Sequence, residues 1–389
     1  MTLGAQRNAE FRRRLLAYFD AGARSLPWRQ SQDPYAVLVS EFMLQQTRVE
    51  TVIPYFQRWM DRFPSLQALA DASQEEVLKL WQGLGYYSRA RNLHQAVREV
   101  QGRYGGELPR APKELRTLPG VGPYTAGALA SIAFQEPAAA VDGNVRRVLA
   151  RIMDVPEPSP RELEGWAVGL VDPERPGDFN QALMELGSRV CTPRMPRCGD
   201  CPVAGFCGAL AADTVAERPR RKAPKPTPMS REGVAVVVLG GDDAEPRLLF
   251  RRRPPSGLLA GMWEFPGVEL PRGGGVMDAL EGLLMELPIP RGGGGDSPVQ
   301  MVPGELQVVD HVFSHRKIRY IPVVFWVSTS APAGELEGDG DGGQPGDLHP
   351  GTPPGFRWLS IGHARATLPL PAAQTAILTQ AEVWLENGE

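Results

Sequence analysis

Residues 118–127 read LPGVGPYTAG, the most informative loop in the N-terminal half of the chain. A predicted helix ends near Thr117, glycines follow at positions 120 and 122, and a new helix begins by Tyr124. Glycine tolerates backbone conformations that other residues resist, so the stretch predicts a tight hairpin between two helices. Such a hairpin exposes backbone N–H groups beside a helix N-terminus, where they can bind a DNA phosphate without reading the bases. An ordinary helix–helix turn explains the same pattern.

Helices are predicted on both sides of the hairpin, so the first 210 residues are expected to be all-α. Phe11 to Phe19 has apolar residues at helical spacing. Asp33 and Pro34 provide an N-cap and a first-turn proline for an amphipathic run that continues through Gln46. Further helices are predicted at 49–63, 74–82, 88–103, 112–117, 124–134, 145–152, 160–171 and 179–191.

The second half of the chain has a different pattern. Residues 212–231 contain four prolines and a basic cluster without apolar periodicity, which predicts an extended linker. Beyond it, β-rich runs at 233–239, 247–251 and 321–328 and helical runs at 277–286 and 372–385 predict an α+β domain. The predicted organisation is a helical domain over 1–211, a linker over 212–231 and a second domain over 232–389. Two Gly/Pro/Asp-rich stretches, 291–296 and 332–356, are expected to be mobile insertions.

Composition limits the classes of protein that the chain can belong to. Its 389 residues carry a net charge of −3, but residues 1–230 hold 30 Lys and Arg against 25 Asp and Glu, and the rest is acidic. The basic excess therefore lies in the helical half, where a nucleic-acid partner is compatible with it. No run of about 18 apolar residues exists, which excludes a spanning helix. The polar N-terminus predicts a cytoplasmic protein.

The four cysteines of the chain lie within 17 residues, at Cys191, Cys198, Cys201 and Cys207. Disulfides are rare in the cytosol, so four clustered thiols predict a metal or cluster site. Thiolates without histidine suit tetrahedral zinc or a [4Fe–4S] cluster, and the spacing does not separate the two. Four ligands leave no open position for a substrate, so the site is expected to be structural.

Two carboxylates are candidates for acid–base chemistry. Glu41 lies in mid-helix among apolar residues, where desolvation raises the pKa of a carboxyl, although a lone helical glutamate is usually solvated. Asp142 precedes Gly143 and Asn144 at a helix start, where it can act as N-cap and stay ionised beside the helix dipole. One protonated and one ionised carboxylate are typical of glycosidic cleavage through an oxocarbenium-like state.

LPGVGPYTAG, VDGNVRR at 141–147 and the cysteine spacing together resemble the helix-hairpin-helix DNA glycosylases of the endonuclease III superfamily. SEFMLQQT at 40–47 resembles the adenine DNA glycosylases (MutY-type) among them. The resemblance implies a base excision repair enzyme that carries a [4Fe–4S] cluster over 191–207. It implies that Glu41 protonates the adenine leaving group and later handles the attacking water. Asp142 would stabilise the positive sugar, and Tyr124 and Asn144 would assist in the pocket.

Tyr124 bears on the subclass of glycosylase. In the bifunctional relatives this helix position carries a lysine whose amine attacks the sugar, and tyrosine cannot form a Schiff base. The resemblance therefore implies a monofunctional enzyme.

Base flipping requires contacts that replace the extruded base. Gln46 and Tyr86 resemble the intercalating residues of the family, and Leu44 is a weaker candidate, while core packing is the alternative for Tyr86. Gly120 and Gly122 are the predicted phosphate contacts. Arg89 and Arg91 are interpreted as phosphate contacts or as part of a solvated face.

RRRPP at 251–255 and GLLAGMWEFPG at 257–267 resemble the start of a Nudix-like domain. The helix after Gly267 lacks the carboxylate-rich core that holds magnesium on a diphosphate, which argues against hydrolysis of free nucleotides. Phe313, Ser314 and His315 form an FSH motif like the 8-oxoguanine reader of the adenine glycosylases. The expected partner is duplex DNA with adenine opposite 8-oxoguanine or guanine, bound by a nucleoid-associated monomer.

Three other functions remain compatible with parts of the pattern. The first is a relative that removes thymine or another pyrimidine, against which the FSH motif and the second domain argue. The second is a nucleotide pyrophosphohydrolase with an accessory helical domain, which the missing acidic residues disfavour. The third is a DNA-binding module without catalysis.

Overall fold

The computed structural model describes residues 4–220, 226–241, 244–271, 273–290, 299–301, 306–328 and 352–387. The chain forms two compact units, Met1–Ala72 with Arg89–Pro224 and Ser73–Ser88 with Lys225–Glu389. The predicted insertion at 291–296 and residues 332–351 of the second lie outside the described residues, as do residues 221–225 of the predicted linker.

The N-terminal part of the chain is helical, as the sequence predicts. A short helix, Leu66–Asp71, was not predicted because six residues are too few to show helical periodicity. The helices in chain order are α1 Ala5–Gly22, α2 Pro34–Leu44, α3 Val49–Arg62, α4 Leu66–Asp71, α5 Gln74–Trp81, α6 Ser88–Tyr104, α7 Pro112–Leu115, α8 Pro123–Phe134, α9 Gly143–Ile152, α10 Pro160–Leu170, α11 Pro176–Arg189 and α12 Gly208–Ala211.

One core of the first unit forms where α1, α9, α10 and α11 bury their apolar faces. Phe11 of α1 is fully buried and packs against Phe179 of α11 and edge-on against Phe206, with ring centroids 6.4 and 5.5 Å apart. Val145 and Leu149 of α9 join the same cluster. This packing holds the start of α9 and the body of α11 in place. Both helices carry residues of the site described below.

Helix α2 is buried along nearly its whole length, from Tyr35 to Met43. Asp33 caps it by accepting hydrogen bonds from the backbone N–H groups of Tyr35 and Ala36, which confirms the predicted helix start. A polar side chain in the middle of such a helix must therefore be buried as well, and this is the position of Glu41.

The second unit is built on a sheet of eight strands among the described residues: β1 Met229–Gly241, β2 Ala244–Arg252, β3 Trp263–Glu264, β4 Gly267–Glu269, β5 Val299–Met301, β6 Val309–Val312, β7 Lys317–Ser328 and β8 Phe356–Leu359. Five of them follow the order β3-β2-β1-β7-β5 across the sheet. Strands β1 and β7 pair in parallel from Met229–Lys317 to Gly240–Ser328, and the other pairs are antiparallel. Since β1 begins at Met229, part of the predicted linker is strand.

Helices cover both faces of this sheet, namely α13 Val276–Glu286, α14 Ile361–Thr367 and α15 Ala372–Glu386. Alternate residues of β1 point to opposite faces. Val236 therefore packs with Ile377 of α15, whereas Val237 lies in a second cluster with Leu280 of α13. The predicted α+β domain is thus three-layered.

Helix α5 belongs to the second unit, whereas the sequence predicts it as part of the helical domain over 1–211. Glu75 accepts hydrogen bonds from Nη1 of Arg357 at 2.7 Å and from Nε1 of Trp263 at 3.2 Å. Lys79 donates to the carbonyl of Leu368 at 3.0 Å. Long-range contacts of this kind leave no local signal in the sequence.

No helix in the described ranges has the length and apolar composition that a membrane span requires.

Candidate active site

A cleft with a volume of about 570 Å3 opens in the first unit between α2, α8, α9 and α11. All four predicted catalytic residues line it, together with two of the predicted DNA contacts: Glu41, Asp142, Tyr124, Asn144, Leu44 and Gln46. Chain segments about 100 residues apart therefore converge on one site.

Glu41 lies in the wall of the cleft and is only 5 % exposed. Its Oε2 is buried and has no hydrogen-bond partner. Burial raises the pKa of Glu41 to about 7, while a hydrogen bond from Tyr124 lowers it and the charge of Asp142 raises it further. The side chain is therefore suited to hold a proton near neutral pH and to donate it to a group in the cleft.

Tyr124 lies in the first turn of α8, directly after the hairpin, and its hydroxyl hydrogen-bonds Glu41. The hydroxyl is 3.4 Å from Sδ of Met184. Burial, and then the negative charges of Glu41 and Asp142, raise its pKa well above the ordinary value of 10. Tyr124 is therefore a neutral hydrogen-bond donor, not a nucleophile.

Asp142 caps helix α9, as predicted, and faces the cleft. Its Oδ1 accepts the backbone N–H of Val145 at 2.7 Å, and its Oδ2 accepts Nδ2 of Asn144 at 2.8 Å. Burial raises the pKa of Asp142, whereas the hydrogen bonds and Arg147 lower it. The helix terminus favours the ionised form, as the sequence predicts, but the desolvation of Asp142 by its distant neighbours does not show in the sequence.

A charged wall of the cleft was not predicted. Glu185 of α11 is 1 % exposed and accepts hydrogen bonds from Arg24 at 3.2 Å and Arg29 at 2.8 Å. Burial raises its pKa, but the bonds with Arg29 and Arg24 outweigh burial, so the pKa is lowered. The wall offers fixed donors and acceptors to a polar ligand. No local signal reveals it, because Arg24 and Glu185 are far apart in sequence.

The two hairpin glycines differ in conformation. Gly120 has φ +74°, and a Cβ there would lie 2.7 Å from Cβ of Asn92, so glycine is required. Gly122 is extended, with φ −84° and ψ −179°, and has open space around it. The predicted need for an unusual backbone is wrong for Gly122, which serves as the N-cap of α8.

Both predicted wedge residues have left-handed backbone conformations. Gln46 is exposed at the cleft with φ +58°, and Leu44 is half-buried beside it. Tyr86, in the second unit, has φ +48° and is 45 % exposed, whereas Tyr87 is a core residue at 7 %. Non-glycine residues at positive φ are uncommon and concentrate at functional sites.

Arg89 is not a surface residue, so its interpretation as a phosphate contact or part of a solvated face is wrong. It is 6 % exposed, and its guanidinium donates to backbone carbonyls at the end of α2. Arg91 of the same helix is partly buried, which lowers its pKa.

The FSH residues form the turn of a β-hairpin in the second unit. Strands β6 and β7 pair up to Val312–Lys317, and the N–H of Phe313 donates to the carbonyl of Arg316 at 2.8 Å. Ser314 is exposed at the tip. The ring of Phe313 packs edge-on against His311, with centroids 4.5 Å apart, and partly joins the core.

The four cysteines line a single cavity and are all half-buried. The buried Arg151 donates to Sγ of Cys191 at 3.3 Å and to the carbonyl of Thr192 at 2.8 Å. Burial, and then the neighbouring sulfurs, raise the pKa of Cys201 to about 11. Four sulfurs this close ionise readily only around a cation, so the set fits a metal–sulfur centre. Within the described ranges, no three potential ligands are arranged to hold a single metal ion.

Three family models match the chain. Residues 39–171 match the HhH-GPD superfamily base excision DNA repair protein, residues 191–207 the iron–sulfur binding domain of endonuclease III, and residues 234–380 the NUDIX domain.

Curated relatives span both units. The chain is 40 % identical to the adenine DNA glycosylase of Rattus norvegicus over 90 % of its own length and 74 % of the relative. It is 38 % identical to the Homo sapiens adenine DNA glycosylase over 90 % and 70 %. Among solved structures, a thermostable thymine-DNA glycosylase is similar, with 29 % identity and a TM-score of 0.50 over 53 % of this chain and 98 % of that one.

Proposed function

The chain belongs to the adenine DNA glycosylases, base excision repair enzymes that hydrolyse N-glycosyl bonds, and we propose that its substrate is adenine paired with 8-oxoguanine or guanine in duplex DNA. The observation that carries this proposal is the pairing of Glu41 and Asp142 in one cleft. Their environments differ, since one carboxyl has an unpartnered oxygen and the other accepts two hydrogen bonds.

Glu41 is the general acid of the proposed reaction. With a pKa near 7 it carries a proton at neutral pH and transfers it to the adenine while the bond from C1′ to the base breaks. The bonding electron pair leaves with the base. The carboxylate that remains then accepts a proton from the water that adds to C1′, which restores the acid.

Asp142 stabilises the cationic sugar that forms between these two events. A developing positive charge in the cleft favours its ionised form and so opposes the effect of burial on its pKa. Asn144 orients the carboxylate, and Tyr124 hydrogen-bonds Glu41. Since none of these groups is an amine, we propose that the enzyme is monofunctional.

The adenine must leave the base stack to reach the cleft. Gln46, with Leu44 beside it, is the proposed wedge from the first unit, and Tyr86 the proposed wedge from the second. The N-terminus of α8 at Gly120 and Gly122 is the proposed phosphate contact, since the first turn of a helix leaves backbone N–H groups without an intrahelical partner.

The hairpin that carries Phe313, Ser314 and His315 is the proposed reader of 8-oxoguanine. The exposed Ser314 offers a hydroxyl that can donate or accept, and the backbone hydrogen bond below it keeps the turn fixed. We further propose that the enzyme acts as a monomer in the cytoplasm, associated with the nucleoid.

The cofactor that best fits the cysteines is a [4Fe–4S] cluster held by Cys191, Cys198, Cys201 and Cys207. A cluster of four irons needs thiols around a cavity, whereas a zinc ion needs thiols that converge on a point. When bound, the [4Fe–4S] cluster would organise the loop over 191–207. A colourless protein containing zinc would contradict this assignment, while a brown protein with broad visible absorption supports it.

The function is tested with a duplex that carries adenine opposite 8-oxoguanine, incubated with enzyme and then with alkali. We expect a strand break at the adenine position after alkali, and little cleavage before it. Glu41→Gln should abolish the break while DNA binding persists, because the amide cannot donate an acidic proton. Breaks at a different base, or an unimpaired Glu41→Gln variant, would contradict the proposal.

A further inference from the structure

Arg89 makes four hydrogen bonds to one short segment of chain. Its Nη1 donates to the carbonyls of Phe42, Met43 and Gln45 at 3.0, 2.7 and 2.5 Å, and its Nη2 donates to Oγ1 of Thr47 at 3.0 Å. The guanidinium is buried, so water does not compete for these carbonyls. Arg89 lies in the first turn of α6, 42 residues after Thr47 in the sequence, and therefore anchors a segment from a distant part of the chain.

The segment that Arg89 binds is the C-terminus of α2, the helix that carries Glu41. The last carbonyls of a helix have no intrahelical partner. Arg89 satisfies those of Phe42 and Met43, and the N–H of Thr47 donates to the carbonyl of Leu44 at 3.3 Å. The helix thus ends on a fixed cap supplied by the guanidinium.

The same guanidinium holds the residues on both sides of Gln46. Gln45 is bound through its carbonyl and Thr47 through its hydroxyl, while Gln46 between them has φ +58° and a solvent-exposed side chain. A left-handed glutamine is unfavourable by itself and persists only where its surroundings impose it. Nε2 of Gln45 also reaches Oγ1 of Thr125, next to Tyr124, at 3.4 Å.

We propose that Arg89 is a positioning residue for base extrusion: it sets Gln46 in its left-handed conformation before DNA arrives, so that the side chain is ready to enter the base stack. The role rests on the proposed function, in which Gln46 is the wedge. Because the turn at residues 45–47 is already ordered, the loss of conformational entropy on ordering it does not add to the free energy of base extrusion.

The test compares two substrates in single-turnover excision. One is adenine opposite 8-oxoguanine, and the other is adenine opposite an abasic-site analogue, which is less costly to extrude because it is unpaired. Arg89→Ala should slow excision on the order of tenfold or more from the paired substrate and only a few-fold from the unpaired one. Millimolar guanidinium should restore part of the loss. Arg103→Ala, which removes a surface partner of Glu99 on the same helix, is the matched control and should change neither rate.

A merely structural role gives a different result. Equal losses on both substrates would overturn the proposal, as would additive losses in the Arg89→Ala, Gln46→Ala double variant, since residues that act through one another are not additive. If Arg89→Ala does not fold, Arg89→Lys replaces it, because lysine keeps the charge but cannot bind both flanking residues in one plane.

Amide hydrogen exchange separates this inference from the proposed function. Exchange over residues 44–47 should rise in the Arg89 variants and stay at the wild-type level in Arg103→Ala, whatever the enzyme excises. Unchanged exchange would overturn the role of Arg89 even in an active enzyme. A wild-type protein that excises adenine from neither duplex would overturn the proposed function, and with it the role in extrusion.

Discussion

Asn144 donates a hydrogen bond of 2.8 Å from Nδ2 to Oδ2 of Asp142, and the other oxygen of that carboxylate accepts the backbone N–H of Val145 at 2.7 Å. Both donors stabilise the ionised carboxylate, so they lower a pKa that burial raises. The pair also fixes the plane of the carboxylate at the start of α9. Asn144 is itself held by Nη2 of Arg147 at 2.9 Å.

We expect Asp142→Asn to slow single-turnover excision by about 10²–10³-fold, because a neutral amide cannot stabilise the positive charge of the sugar as a carboxylate does. Asn144→Ala should cost less, about tenfold, since it removes one orienting hydrogen bond and leaves the charge. Asp61→Asn, at an exposed position of α3, is the control. Equal rates for Asp142→Asn and the control would show that Asp142 is only a helix cap.

The pKa of Glu41 sets the basic side of the pH profile. Because the proposed acid must be protonated, the excision rate should fall about tenfold per pH unit above the pKa of Glu41, which is about 7. On the acidic side the rate should fall as Asp142 takes up a proton, at a pKa that burial raises above its ordinary value. Single-turnover rates across the pH range measure both sides. A profile that stays flat well above neutral pH would exclude Glu41 as the acid.

Ser314→Ala tests the reader hairpin. The backbone bond from Phe313 to Arg316 does not involve the serine hydroxyl, so the turn should persist in the variant. We expect the preference for adenine opposite 8-oxoguanine over adenine opposite guanine to fall several-fold, since one hydrogen bond to the damaged base is lost. Ser256→Ala, at an exposed position of the same unit, should keep the preference. An unchanged ratio of the two excision rates in Ser314→Ala would assign the discrimination to other residues.

Local signals explain what the sequence predicted well. Asp33 and Asp142 were identified as caps because capping depends on residues two to three positions away, and the structure shows both interactions. For Glu41, the apolar residues within one helical turn indicate burial, but its choice over a solvated glutamate depends on the resemblance of residues 40–47 to the adenine DNA glycosylases. In each case the physical cause lies within a few residues of the side chain.

What the sequence did not reveal depends on partners that are distant in the chain. Glu185 meets Arg24 across 161 positions, and Arg89 reaches Phe42 across 47. No periodicity links such residues, so Arg89 was interpreted as exposed. The short strands β3–β6 and β8 were missed for a related reason, because two to four residues form a strand only when a neighbouring strand supplies the hydrogen bonds. Since β8 begins at Phe356, the prediction of a mobile insertion is wrong for the last residue of 332–356.

Glu232 of the second unit provides the last prediction, on stability. Burial raises its pKa to about 7, and the charge of Glu264 raises it further, while Arg253, Arg251 and Arg316 lower it. Glu264 is already paired with Arg251 and Arg253. These two arginines therefore do little to stabilise the ionised form of Glu232.

A raised pKa means that the folded protein binds a proton at Glu232 more tightly than the unfolded chain, whose glutamate titrates near the ordinary value of 4.5. Stability from this group is therefore present below about pH 4.5 and is lost as the pH rises through about 7. Glu232→Gln should raise the free energy of unfolding by up to about 2–3 kcal/mol at pH 8 and change it little at pH 5, relative to wild type. Thermal unfolding at both pH values measures the difference, with the exposed Glu245→Gln as control. Destabilisation at pH 8 would instead show that the charge of Glu232 holds Arg316 in place.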